Sequence, residues 1–305
     1  MCAGGVRKRL FARMITGNVT KLPTVKKRRL ITSLSMGAVL AASTYMVPAQ
    51  QSFKERFFEH NSSVAAFQPS RPTPLVEADP RLSQYARISF SDEYATGSTR
   101  TVSYGNGRGI GIIGWNRFEF DYYPPPYIQH NSHAHDGFGD TAVLAKYRIA
   151  SGKFERRDFI VTAILGHTFA TGRYNNGAAT DIWNPMVAGG IGFLKRFDVE
   201  SSLGGSMPTG KIATQGRSIA WSSLVQEHAA GHVWLELENN ATFYFASSHD
   251  GKMQNFATPA AFYVARRKDW KPTHPFLVFV GGMQIATSGF HTYNHNTIFE
   301  MRILF

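Results

Sequence analysis

From Arg87 onward the chain repeats one pattern of apolar and polar positions. Segments of about ten residues, rich in Val, Ile, Thr and aromatic side chains, are separated by stretches rich in Gly, Asn, Asp and Pro. Within "FEFDYY", Phe118 and Phe120 fall on one face. Glu119 and Asp121 fall on the other. This period of two predicts β-strands that each have one apolar and one polar face.

The spacing of these segments predicts about twelve strands, with ten and fourteen as alternatives. We place them at 87–105 (one strand or two), 109–115, 117–123, 140–150, 157–169, 183–195, 198–208, 218–228, 231–246, 255–266, 275–287 and 296–305. The alternation is clear at 117–123 and weaker at 157–169.

Two architectures fit such strands. A soluble β-sandwich buries the apolar faces in a shared core, whereas a transmembrane barrel turns them toward lipid and encloses the polar faces. Long connections at 124–139, 170–182, 209–217, 247–254 and 288–295 alternate with shorter ones, as in outer-membrane barrels. The predicted fold class is therefore all-β, a transmembrane antiparallel β-barrel of the bacterial outer membrane with its long loops facing outward.

The chain's last segment, "IFEMRILF", keeps the alternation to its final residue. The residues expected to face the membrane are Phe299, Met301, Ile303 and Phe305, with Glu300 and Arg302 on the opposite side. A last strand that ends on an aromatic residue resembles the C-terminal signature by which bacterial outer-membrane proteins are recognised for assembly. Outer-membrane lipid and the barrel-assembly machinery are therefore expected partners.

The first 50 residues carry most of the net positive charge. They hold nine basic and no acidic residues, which leaves 24 basic against 21 acidic residues in the rest of the chain, although the overall charge is +12. A remainder this close to neutral argues against nucleic acid as a partner. "KLPTVKKRR", the apolar "LITSLSMGAVLAA" and the small residues that follow have the order of a signal peptide. A basic, amphipathic surface helix is the alternative.

These features predict three parts of the chain. A signal peptide at 1–50, starting at Met1 or Met14, is cleaved during export, and a periplasmic N-terminal arm or linker follows at 51–85. The barrel occupies 86–305. The sequence leaves open whether the arm enters the barrel.

Several motifs resemble those of one family. "GWNRFEFDYYPPP" (Gly114–Pro126), "GFGDTAVLAKYRI" (Gly137–Ile149) and "MPTGK" (Met207–Lys211) resemble, in order and spacing, landmarks of the outer-membrane transporters associated with the meta-pathway of phenol degradation. The resemblance extends over Ile110–Phe305, and "FATGR" (Phe169–Arg173) departs from it where a second Pro-Thr-Gly is expected. It implies a barrel that takes up small, often apolar compounds, and it fixes no substrate.

Charged residues on the polar faces of the strands are candidate lumen residues. They are Glu119, Lys146, Arg148, Glu236, Glu238, Glu300 and Arg302. Two interpretations stay open: these side chains tune the selectivity of a pore, or opposite charges pair and fill a narrow barrel. Because the basic and acidic members nearly balance, a strong filter for one sign of charge is not expected.

A histidine-rich loop, "HNSHAHD", is the main chemical cluster. His130, His133 and His135 are candidate metal ligands, or a base with Asp136 as its orienting acid. A solvated loop explains the same residues, because spacing on one loop fixes no ligand geometry. We therefore assign no metal site, no catalytic residue and no cofactor.

The expected function is passive uptake of small molecules, apolar or aromatic ones included, by an outer-membrane channel or transporter that is not an enzyme. Two alternatives remain from the sequence. One is an outer-membrane barrel enzyme of the lipid hydrolase or protease type, and the other is a purely structural barrel. The substrate, the pore radius and the oligomeric state do not follow from the residues.

Overall fold

The computed structural model describes residues 53–95, 97–155, 157–265 and 275–305. The predicted signal peptide lies outside the described residues. The helices are α1 (Phe53–Ala65) and α2 (Ile212–Gln215), with a 3-10 turn at Ser247–His249. The strands are β1 (Tyr85–Tyr94), β2 (Arg100–Tyr104), β3 (Gly109–Trp115), β4 (Phe118–Tyr123), β5 (Tyr127–His130), β6 (Gly137–Phe138), β7 (Thr141–Lys153), β8 (Arg157–Phe169), β9 (Ile182–Phe193), β10 (Phe197–Pro208), β11 (Arg217–Ala230), β12 (Val233–Phe245), β13 (Met253–Ala265), β14 (Phe276–Ala286) and β15 (His295–Leu304). Within the described ranges, no helix is long and apolar enough to cross a membrane.

The strands form one closed antiparallel barrel. Each long strand pairs with its neighbours in the sequence, and β15 returns to pair with β1 along its full length, from Tyr85↔Leu304 to Tyr94↔His295. Pairing of the first strand with the last removes the two free edges that an open sheet would have. The predicted fold class, an antiparallel β-barrel, is confirmed.

The described strands make twelve positions in the wall, because three positions each hold two strands in line. The upper part of β1 pairs with β2 through Phe90↔Tyr104, and its lower part pairs with β3 through Tyr85↔Gly111. By the same register β5 continues β4, and β7 continues β6. The predicted number of about twelve is confirmed. The assignment differs at 87–105, which forms β1 and β2, while β2 shares one wall position with β3.

The interruptions have local causes. Pro124–Pro126 separate β4 from β5, and proline has no N–H to donate to a strand ladder. Between β2 and β3, Gly105 and Gly107 adopt φ values of 87° and 76°, which glycine reaches without steric cost. The wall therefore has a break in its hydrogen bonding on this side of the barrel.

Side chains alternate between the outside and the inside of the wall. On β15, Phe299 is 57% exposed and Ile303 is 37% exposed, whereas Arg302 is 2% exposed. Glu119 and Glu238 are fully buried, although both carry carboxylates. Apolar side chains therefore cover the outside and charged ones are enclosed, which is the arrangement of a membrane-spanning barrel and the reverse of a sandwich core.

The two ends of the barrel differ in the length of their connections. Among the connections described in full, one end, which we call the loop end, carries 131–136, 170–181, 209–216, 246–252 and 287–294. The other, which we call the turn end, carries 116–117, 194–196 and 231–232. The predicted long loops therefore meet at one end, with one correction: β5 and β6 take much of 124–139 into the wall, so that only 131–136 is a loop at this end.

The helix α1 lies at the turn end, against the last residue of the chain. The ring of Phe57 stacks on that of Phe305 with 6.1 Å between centroids, and the Asn61 side chain donates a hydrogen bond to the Phe305 carbonyl. Val64, near the end of the helix, packs in a buried cluster with Leu82 and Ile113. The chain then enters the barrel.

Candidate functional site

Residues 66–84 occupy the interior of the barrel, and we call this segment the plug. The sequence predicted it as part of an arm or linker at 51–85 and left its position open. The plug has neither helix nor strand before Tyr85, and it contains Pro69, Pro72, Pro74 and Pro80. A buried segment without regular structure must satisfy its backbone N–H and C=O groups with other partners. Here those partners are charged side chains of the barrel wall.

Carboxylates of the wall accept hydrogen bonds from the plug's backbone N–H groups. The N–H of Leu75 donates to Glu236 Oε1 at 3.1 Å. The N–H groups of Val76 and Glu77 donate to the two carboxylate oxygens of Glu238, both at 2.9 Å. Hydrogen bonds that involve an ionised acceptor are stronger than neutral ones. The carboxylates on this side of the lumen therefore hold the plug by accepting hydrogen bonds from its backbone N–H groups.

Cations of the wall donate to the plug's carbonyl groups. Arg302 donates to the carbonyls of Thr73 and Pro74, the second at 2.7 Å. Lys146 Nζ donates to the carbonyl of Arg81 at 3.3 Å. On the neighbouring part of β7, Arg148 donates to the carbonyl of Val64 in α1, just before the plug, at 3.0 Å.

The predicted lumen residues also pair with one another. Lys146 Nζ lies 2.8 Å from Glu119 Oε1, and Arg302 forms an ion pair with Glu300. All seven predicted residues are buried on the inner side of the wall. They therefore fill the interior together with the plug in this structure.

Sequence analysis missed several inward-facing charges. Asp158, Asp198 and Glu200 surround the guanidinium of Arg71, which belongs to the plug. The signal for Asp198 and Glu200 was present as alternation in "FDVESS". No local pattern pointed to Arg71, because the plug has no periodicity that places its side chains.

A cavity of about 630 Å³ lies between the plug and the loop end. Plug residues from Thr73 to Asp79 line it on one side, and Asp140 and Asn176 line it near the loops. Its wall includes Tyr85 and Tyr123, whose hydroxyl groups are 2.9 Å apart. The guanidinium of Arg87 lies over the ring of Tyr123, 5.1 Å from its centroid. This part of the lumen is therefore a space of small-molecule size with polar and aromatic walls.

The histidine-rich loop has ordinary polar contacts. His130 Nε2 lies 2.6 Å from Asn176 Oδ1, and its Nδ1 lies 3.3 Å from Thr101 Oγ1. The ring of His135 lies 5.5 Å from that of Tyr174, and His133 is exposed. Across the described parts of the chain, no group of three or more His, Cys, Asp or Glu residues could hold a metal ion.

The last strand presents its odd-numbered side chains to the outside. Phe299 and Ile303 are exposed there, and Met301 contributes to an apolar groove on the outer surface. Phe305 is half-buried because its ring stacks on that of Phe57.

Comparison with known proteins gives structural likenesses only. No protein-family model and no curated protein matches the chain. Among solved structures, an outer membrane channel from Pseudomonas putida F1 is similar with a TM-score of 0.48 and 11% identity, covering 77% of this chain and 100% of that one. The NanC porin is similar with a TM-score of 0.46 and 10% identity, covering 72% of this chain and 98% of that one. The KdgM porin has a TM-score of 0.38 and 10% identity over the same shares.

Proposed function

We propose that the protein is an outer-membrane channel for passive uptake of small molecules and that the plug closes it in this structure. The observation that carries the proposal is a charged lumen inside an apolar-surfaced barrel, with a cavity of about 630 Å³ on the loop-end side of the plug. A membrane barrel that served only as a structural element would not need such a space.

The contacts of the plug suit a removable barrier. Most of them are hydrogen bonds between wall side chains and plug backbone groups: the Glu238 carboxylate accepts from N–H groups, and Arg302 donates to a carbonyl. Exchange of such bonds for bonds to water has a small net cost, because both states stay hydrogen-bonded. The strand ladder of the wall is formed without the plug, so departure of the plug breaks no strand pairing.

The proposal includes a location and an orientation. We infer export with a signal peptide cleaved near Gln51, insertion into outer-membrane lipid by the barrel-assembly machinery, a periplasmic turn end and an exposed loop end. Short turns on the periplasmic side and longer loops outside are the rule for such barrels. Nucleic acid is not among the proposed partners, and no catalytic role is assigned.

We propose small apolar or aromatic compounds as the substrate class, which the family resemblance and the cavity support. The resemblance to transporters of the phenol meta-pathway suggests small apolar or aromatic compounds. Tyr85, Tyr123 and Arg87 support it, because aromatic faces and a guanidinium offer stacking surfaces to an aromatic solute.

Liposome swelling tests this function. The full chain and a variant that lacks residues 53–84 are refolded into liposomes, and swelling is followed in a series of neutral solutes of increasing size. We expect the deletion variant to admit solutes that the full chain excludes or admits slowly. Equal impermeability of both proteins, with both shown to be folded by heat-dependent gel migration, would favour the structural barrel.

A further inference from the structure

The plug residue Arg71 occupies a carboxylate-lined pocket in the barrel wall. Its Nη1 lies 3.3 Å from Asp158 Oδ1, and its Nε lies 3.0 Å from Glu200 Oε1. Its Nε also pairs with Asp198 Oδ2. The side chain of Arg71 is 3% exposed, and those of Asp198 and Glu200 are 1% and 0% exposed. A guanidinium presents its donors in a rigid plane, which matches carboxylates placed around it.

The wall provides room for the guanidinium by omitting two side chains. Gly190 and Gly192 both lie on β9, between the strands that carry Asp158 and Glu200. A Cβ atom at Gly190 would lie 2.7 Å from Arg71 Nη2 and 2.9 Å from Glu200 Cγ. One at Gly192 would lie 2.1 Å from Asp158 Oδ1 and 2.7 Å from Arg71 Nη1. Neither glycine has a positive φ, so the backbone does not require glycine there. The two glycines leave the space that the guanidinium and the carboxylates around it fill.

The pocket leaves one donor of its occupant unused, and it has an access route. Three carboxylates surround the guanidinium of Arg71, with the buried Arg81 of the plug as a second cation near Asp198 and Glu200. Nη2 of Arg71 has no hydrogen-bond partner among the described residues. A cavity of about 360 Å³ reaches Arg71, Asp158, Gly192 and Asp198 from the turn end. Its rim also carries Lys153, Arg157 and Lys195, which are exposed and therefore screened by salt.

We propose that Asp158, Asp198, Glu200, Gly190 and Gly192 form a binding site for a guanidinium group. Arg71 is its tethered occupant, and a small solute that carries a guanidinium takes its place when the plug moves. When such a solute competes with Arg71, it favours the open channel. Only this consequence rests on the proposed channel function. Binding itself does not depend on conduction.

Competition by a free solute is weak when the occupant is tethered, because a short tether gives an effective concentration in the millimolar range. The site is therefore best tested when Arg71 is replaced. In Arg71→Ala the carboxylates and both glycines stay in place, and the pocket can take a guanidinium ion from solution. Tetramethylammonium has the same charge as guanidinium and no N–H donors, so it serves as the control ion.

The experiment measures the temperature at which the refolded full chain loses its folded gel mobility. Guanidinium chloride at millimolar concentration should raise this temperature by about 2–4 °C in Arg71→Ala, because a ligand that binds only the folded state stabilises it. Wild type should shift less, and tetramethylammonium should give no shift. In the Arg71→Ala background, Asp198→Asn with Glu200→Gln should abolish the shift, whereas Glu227→Gln, a carboxylate outside the pocket, should retain it.

Gly192→Ala in the Arg71→Ala background fills the pocket and displaces the Asp158 carboxylate without changing any charge, and it remains informative where the double carboxylate variant does not fold. It should abolish the shift as well. Equal shifts with guanidinium and tetramethylammonium, or a shift that survives Gly192→Ala, would overturn the site. Absence of ionic current in every variant would contradict the channel function and leave this binding result standing, so the two failures are distinguishable.

Discussion

Leu75 is the apolar residue that fixes the plug in the barrel, and its truncation should destabilise the closed state relative to the open state. Leu75 is 7% exposed and packs with Ala260, Phe262, Val278 and Val280. Leu→Ala at a buried site costs about 2–5 kcal/mol. In the open state Leu75 lies in water, so this cost falls on the closed state alone. Since about 1.4 kcal/mol changes an equilibrium constant tenfold, Leu75→Ala should raise the ratio of open to closed protein by about thirtyfold or more.

Limited proteolysis reads this ratio directly. Arg81 is 5% exposed inside the barrel, and the bond from Arg81 to Leu82 becomes accessible to trypsin only when the plug leaves. When opening and reclosing are fast compared with cleavage, the rate follows the open population. The product that begins at Leu82 is identified by N-terminal sequencing, which distinguishes it from cleavage after the exposed Arg56.

Val76→Ala is the matched control, because Val76 adjoins Leu75 and is 37% exposed. It should change the rate of cleavage after Arg81 by less than about threefold, since exposed substitutions usually stay within about 0.5 kcal/mol. A rate for Leu75→Ala within the range of this control would contradict the plug as a discrete, removable barrier.

Three further outcomes follow from the barrel. Ile303→Arg should cost about 1–4 kcal/mol of barrel stability in lipid, because Ile303 lies on the outer face; urea unfolding in liposomes measures it. Epitope tags inserted at 170–181 or 287–294 should be labelled on intact cells, whereas tags at 194–196 should not, and the reverse result would invert the orientation. N-terminal sequencing of the membrane-extracted protein should start near Gln51, and an intact Met1 or Met14 would contradict the signal peptide.

The orientation of strand side chains was accessible from the sequence because a strand has a period of two. Glu119, Lys146 and Arg302 each lie between apolar neighbours, and that alternation alone assigns them to the inner face. Which strands pair with each other was harder to predict from the sequence. The in-line arrangement of β2 and β3 depends on their shared pairing with β1, which no local pattern encodes.

The plug could not have been positioned from its residues. Its prolines and its lack of repeating apolar positions fit a linker outside the barrel as well as a segment inside it. Its location is set by wall groups distant in the chain, such as Glu238 for the N–H of Val76 and Arg302 for the carbonyl of Pro74. The Arg71 pocket was missed for the same reason, although Gly190 and Gly192 already marked an unusual absence of side chains on β9.

Single-channel recording in a planar lipid bilayer tests the central claim, a channel that the plug closes. The full chain and Leu75→Ala are incorporated under the same salt and voltage, with Val76→Ala as the control. We predict discrete current steps in Leu75→Ala that occupy a much larger fraction of the recording than in wild type or Val76→Ala. Folded protein that passes no current in any of these forms, and in the variant lacking residues 53–84, would contradict the claim.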